Sequence, residues 1–140
     1  MQKILSLVFV IILILHGLIH LMGTLTYIQL GTIEELAYKT TLLDGRWDVG
    51  QTGIALFGAL WAVTAIGFVF GAVSFLAQHP RSKCLLTAIA LISLALTILD
   101  WEVAYAGVIM NVAILGLIWF GPHIGARVLL LKLKRRSKNE

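Results

Sequence analysis

Two histidines four residues apart, His16 and His20, lie inside the apolar stretch "ILHGLIHLMG". Residues at i and i+4 share a helix face, so this pair would present two imidazoles in one direction. Such a pair supports three kinds of chemistry: metal ligation, proton relay or pH sensing around the imidazole pKa of about 6.5, and hydrogen bonding between helices. Ionisable side chains inside a membrane are costly, and each is a default functional candidate.

Other polar residues fall on helical stripes that could meet the pair. Ala90, Ser93, Thr97 and Asp100 follow i, i+3/i+4 spacing, as do Ala104, Gly107 and Asn111. Asn111 would lie about 12 Å along its helix from Val103, level with the histidines. His16, His20, Asp100 and Asn111 are therefore expected to converge on one polar pocket, with Asp48 closing it from above. Glu102 is expected to point elsewhere, about 200° around from Asp100. As a divalent-metal set, His16, His20 and Asp100 are incomplete: another helix must add a ligand, and no HExxH-type base accompanies them. Haem fits poorly, because His16 and His20 share a helix while His79 and His123 lie at the other end. No cofactor is expected. The single cysteine, Cys84, excludes an internal disulfide.

The elements that must position these groups are membrane helices. Of 140 residues, 59% are hydrophobic and 13% charged, with a mean hydropathy of +0.95. A soluble domain would carry about 25% charged residues. Four apolar runs approach the length of a bilayer crossing, at about residues 4–25, 53–76, 84–101 and 103–120. The third is short and needs Lys83 or Trp101 as an interfacial anchor. None shows the alternation of barrel strands. The expected fold is a single all-α domain, a four-transmembrane-helix bundle. Lys3 and the run after it also suit a signal peptide. The run continues to Leu25, however, and "MGTLTY" is a poor cleavage site, so a retained helix is expected.

Orientation follows from the bases. Nine of the eleven lie at the N-terminus, in the second connection and in the C-terminal tail, while Lys39 and Arg46 lie in the first connection. This positive-inside asymmetry predicts cytoplasmic termini and a multi-pass protein of the cell membrane. The tail, residues 121–140 with "KLKRRSKNE", is expected to sit against anionic lipid and to account for the pI near 9.5, with no nucleic-acid partner. "GPHIG" is expected to break or kink the last helix, and "ARVLLLKLKRR" to continue as a basic amphipathic helix. In the first outer loop, Thr32 and Glu35 suit a capping box, and the segment reads either as a short interfacial helix or as a polar outer loop. "LDGRWDVG" reads as a turn leading to an interfacial Trp47. Gly67 and Gly71, at small-xxx-small spacing, and Gly107 are expected to pack helices closely.

"HGLIHLMG", "GALWAVTAIGFV" and "LDWEVAYAGVIMNVAIL" together resemble a group of small uncharacterised four-helix prokaryotic membrane proteins. Those proteins carry an HGxIHLxG motif in the first helix and an aromatic-then-Gly-x-x-x-Asn-Val segment in the last. His16, His20, Gly107 and Asn111 match the motif positions, and the likeness spans most of residues 4–120. "WEVAYAG" departs from the pattern, since relatives tend to have a basic residue before the aromatic. A more distant likeness to DoxX-type proteins rests on architecture. The resemblance implies the fold and marks the histidine motif. Three functions are open: a non-catalytic binding or accessory protein that packs with a membrane partner or a second copy or binds a small apolar ligand in the polar pocket of its outer half, a metal-binding protein or enzyme using His16 and His20, and an oligomeric transporter subunit.

Overall fold

The computed structural model describes residues 2–34 and 36–136, with side chains described for 4–34 and 36–121. Four helices carry the chain: α1 (Gln2–Tyr27), α2 (Gly50–Leu76), α3 (Ser82–Leu99) and α4 (Trp101–Arg136). Each is long and apolar enough to cross a membrane, over 24, 27, 18 and 21 residues respectively. They pack in chain order, α1 on α2, α2 on α3 and α3 on α4. A hydrogen bond from His16 to Asn111 closes α4 back onto α1. Only Asp100 separates α3 from α4, which forces those two helices to run antiparallel.

The bundle buries a polar layer inside and is apolar outside. Ile19, Ile66, Phe70 and Ile109 turn outward, while His16, His20, Ser93, Thr97 and Asn111 are buried. Water would not tolerate so large an apolar exterior, whereas lipid tails do. Inside, two apolar layers sandwich the polar one. The first, toward the chain termini, contains Val10, Leu13, Phe68, Leu86, Ile114 and Ile118. The second contains Tyr27, Leu42, Ile54, Phe57, Trp61 and Leu96.

Small residues set how close the helices come. A β-carbon on Gly67 would lie 2.5 Å from Ile89, one on Gly71 2.5 Å from Leu86, and one on Gly107 2.7 Å from Thr97. The tightest backbone approach is at Gly17, within the histidine motif. A β-carbon there would lie 2.9 Å from Phe68 Cβ and 3.1 Å from the Ala65 carbonyl oxygen. That glycine lets α2 lie against the face that carries the histidines.

The helix ends use backbone caps. After α1, Gln29 takes φ 58°, and the Gln29 and Leu30 N–H groups return to the carbonyls of Thr26 and Leu25. After α2, Gln78 takes φ 55°, and the Gln78 and His79 N–H groups return to Phe75 and Ser74. Both are Schellman closures that satisfy orphan carbonyls, with glutamine where glycine is usual.

The first connection differs from the expected interfacial helix. Ile33 and Leu36 form an isolated bridge, followed by a hairpin of β1 (Thr41–Leu42) and β2 (Trp47–Asp48). A helix of one or two turns gains too few hydrogen bonds to offset its nucleation. Asp44 and Gly45 instead take positive φ angles, 56° and 82°, at the centre of a type I′ turn closed by the Arg46 N–H to the Leu43 carbonyl at 3.2 Å, and Leu43 before them is also left-handed at 53°. Glu35, the other half of the expected capping box, lies outside the described residues. The expected break at "GPHIG" does not occur: the last helix runs through Pro122 to Arg136, in line with the expected helical continuation of "ARVLLLKLKRR". A membrane helix can absorb the one N–H that proline removes. The side chains of the basic tail, and with them its expected lipid contacts, lie outside the description.

Candidate functional site

The polar layer is a directed ring of hydrogen bonds across three helices. His20 Nδ1 lies 2.8 Å from the carbonyl oxygen of His16. A carbonyl can only accept, so Nδ1 carries the proton. In the neutral ring, His20 Nε2 is then an acceptor, and the Ser93 hydroxyl donates to it at 2.7 Å. Ser93 Oγ in turn accepts from Asn111 Nδ2 at 2.8 Å. Asn111 Oδ1 accepts from His16 Nε2 at 3.1 Å, and the ring closes at His16.

Thr97 confirms the sense of the amide. Its hydroxyl proton goes to the Ser93 carbonyl at 2.9 Å, leaving the oxygen free to accept from Asn111 Nδ2 at 3.4 Å. Asn111 and Ser93 are 0% exposed and His20 is 1% exposed, so these bonds form out of contact with solvent. The imidazoles are also walled by aromatics. Their own rings meet edge to face at 4.8 Å, with Phe68 5.0 Å from His16 and Trp61 5.0 Å from His20.

Asp100 and Asp48 do not join this layer. Asp100 accepts the Tyr27 hydroxyl on Oδ2, while Lys39 Nζ lies 2.8 Å from Oδ1. Asp100 forms the one-residue corner between α3 and α4, where its backbone carbonyl accepts the Val103 and Ala104 N–H groups at 3.2 and 2.9 Å while its carboxylate turns to Tyr27 and Lys39. Asp48 is exposed on β2 and accepts the Gly50 N–H at 2.9 Å, a local turn contact. The expected single pocket is thus two separate networks, one between the helices and one beneath the first connection. The expected metal set is divided between them. Among the described residues, no three His, Cys, Asp or Glu side chains gather as a metal site requires.

Glu102 is exposed and reaches Lys39 at 3.5 Å. Burial lowers the Lys39 pKa, but contact with Asp100 and the charges of Asp100 and Glu102 outweigh it, holding the ammonium above the ordinary lysine value. Lys39 was legible only as one of two bases in an otherwise acidic first connection. Ser93 and Thr97 carried a clearer signal, the stripe that leads to Asp100. Trp61 is a core residue beside His20, whereas Trp119 faces outward. Trp61 Nε1 and Thr26 Oγ1 are buried without a protein partner among the described residues.

No family model, curated protein or solved structure matches the chain.

Proposed function

We propose that the chain is a non-catalytic binding or accessory protein of the cell membrane, with both termini cytoplasmic. Its histidine motif holds the helices in register. The observation that carries this reading is the hydrogen-bonded ring. Both nitrogens of His20 and Nε2 of His16 are engaged by α1, α3 and α4 themselves. Groups committed in this way specify packing, since each lost bond strands a polar atom away from water.

Binding is assigned to the apolar flanks. A shallow groove of about 350 Å³ between α1 and α2, lined by Leu18, Leu21, Ile66, Val69 and Phe70, offers a surface to an apolar ligand, a membrane partner or a second copy. The basic tail adds attraction to anionic lipid. The likeness of "HGLIHLMG" and the Asn111 segment to small four-helix prokaryotic membrane proteins agrees with this reading.

The test is metal content and thermal stability of protein purified without a histidine tag, compared with His16→Ala/His20→Ala. The expected outcome is no stoichiometric metal in either protein and a lower melting temperature in the variant. Stoichiometric metal that disappears in the double variant would overturn the packing reading in favour of a divalent-metal site.

A further inference from the structure

The connection 28–49 is bound to the bundle by a few contacts of different kinds. Leu42 is 3% exposed and sits among Tyr27, Phe57, Trp61 and Leu96. The Leu43 N–H donates to the carbonyl of Leu99, the last residue of α3, at 2.8 Å. Lys39 pairs with the buried Asp100. Leu36 and Val49 are half-buried against the same cluster, and most of the other described residues of the connection are exposed, including every residue from Leu43 to Asp48. Its two ends carry positive φ at Gln29 and Gly50, positions where the chain turns sharply. At the covered end, Thr26 Oγ1 and Trp61 Nε1 are buried without partners among the described residues. Such atoms gain hydrogen bonds when water or a polar solute enters.

We infer that segment 30–49 is a lid over this end of the bundle, latched by the Lys39–Asp100 ion pair. Opening it gives the adjoining aqueous phase access to Asp100 and, past the site that Leu42 vacates, to Thr97 one helical turn below. The physical basis is an asymmetry between the two states. Closed, Asp100 is 1% exposed and depends on Lys39 for its counter-charge. Open, both charges are hydrated and neither needs the other. Removing Lys39 therefore penalises the closed state alone, because a buried charge without its partner is strongly unfavourable. Removing both charges lifts that penalty and lets the lid close again on Leu42 and the Leu43–Leu99 bond.

The experiment uses the full chain in proteoliposomes, with Cys84→Ser and one reporter, Thr97→Cys, labelled by a charged, membrane-impermeant methanethiosulfonate. A second reporter, Ala72→Cys, lies fully buried in the other apolar layer and detects general loosening. Lys39→Met is expected to accelerate labelling at Thr97→Cys by about ten-fold or more, as a broken buried pair allows. Lys39→Met/Asp100→Asn is expected to return it to the parent rate, with Ala72→Cys protected throughout. Equal rates in Lys39→Met and the parent would overturn the latch. So would failure of the double variant to restore protection, or acceleration at Ala72→Cys in step with Thr97→Cys.

Discussion

Asn111→Leu removes the α4 side chain that hydrogen-bonds to both α1 and α3 within the polar layer. Asparagine here accepts from His16 at 3.1 Å and donates to Ser93 at 2.8 Å, with a weaker 3.4 Å contact to Thr97. Interhelical hydrogen bonds in membranes average about 0.6 kcal/mol, so the two good bonds account for about 1.2 kcal/mol. The larger effect is the His16 Nε2–H left without an acceptor, which adds about 1–3 kcal/mol in a buried setting. The summed loss is about 2–4 kcal/mol. Leucine keeps the branched skeleton of asparagine with bulkier ends, so no cavity is created.

The assay is equilibrium unfolding in mixed micelles or by steric trapping in bicelles, run as a double-mutant cycle with His16→Leu. Removing both partners strands nothing between them, and the double variant is expected to lose less than the sum of the singles by about 1–2 kcal/mol. A single-variant loss below about 0.5 kcal/mol, or additivity within about 0.3 kcal/mol, would refute the ring as the element that fixes packing.

Two further outcomes follow from the same geometry. Gly17→Ala puts a methyl 2.9 Å from Phe68 Cβ and 3.1 Å from a backbone oxygen that cannot retreat. It is expected to cost about 1–3 kcal/mol in the same unfolding assay. Gly116→Ala meets nothing within 4 Å and should be neutral or stabilising by up to about 1 kcal/mol through helix propensity. Equal losses at the two sites would contradict the close α1–α2 approach. For the latch, the Lys39 pKa is raised in the folded state. Its contribution is therefore complete below the unfolded lysine pKa of about 10.4 and is lost as pH rises through the higher folded value. Melting temperatures of wild type and Lys39→Met should differ by a constant amount from pH 7 to about pH 9.5 and converge only above that. Convergence at neutral pH would contradict the assignment.

Much of the fold was legible in the sequence because bilayer crossing imposes a coarse, long-range pattern on composition. Four runs of the right length identify four helices with little help from local propensity. Even the Asp-Gly turn of the hairpin was readable, since the type I′ geometry demands residues that tolerate positive φ. The interfacial helix expected around Thr32 and Glu35 was a local signal with no packing behind it. An isolated Ile33–Leu36 bridge stands there instead, and the buried Leu42 anchors a hairpin further along the connection. Gly67 and Gly71 were readable from spacing as close-packing positions. Spacing could not name Ile89 and Leu86 as the side chains they meet, because the identity of a facing helix is not written in either strip alone.

The candidate site divides along the same line. Sequence by itself determined that His16 and His20 share a face and that Ser93, Thr97 and Asn111 lie at comparable depth, since helical rise and periodicity fix both. Only the tertiary structure decided that Asp100 turns away to Tyr27 and Lys39 while Asn111 turns toward His16. Rotation of each helix about its axis is set by packing against its neighbours, through contacts such as Gly17 on Phe68 and Gly107 on Thr97. One-dimensional spacing carries no record of that angle. It is the angle that converts an expected single pocket into a hydrogen-bonded ring between helices and a separate ion pair beneath the hairpin.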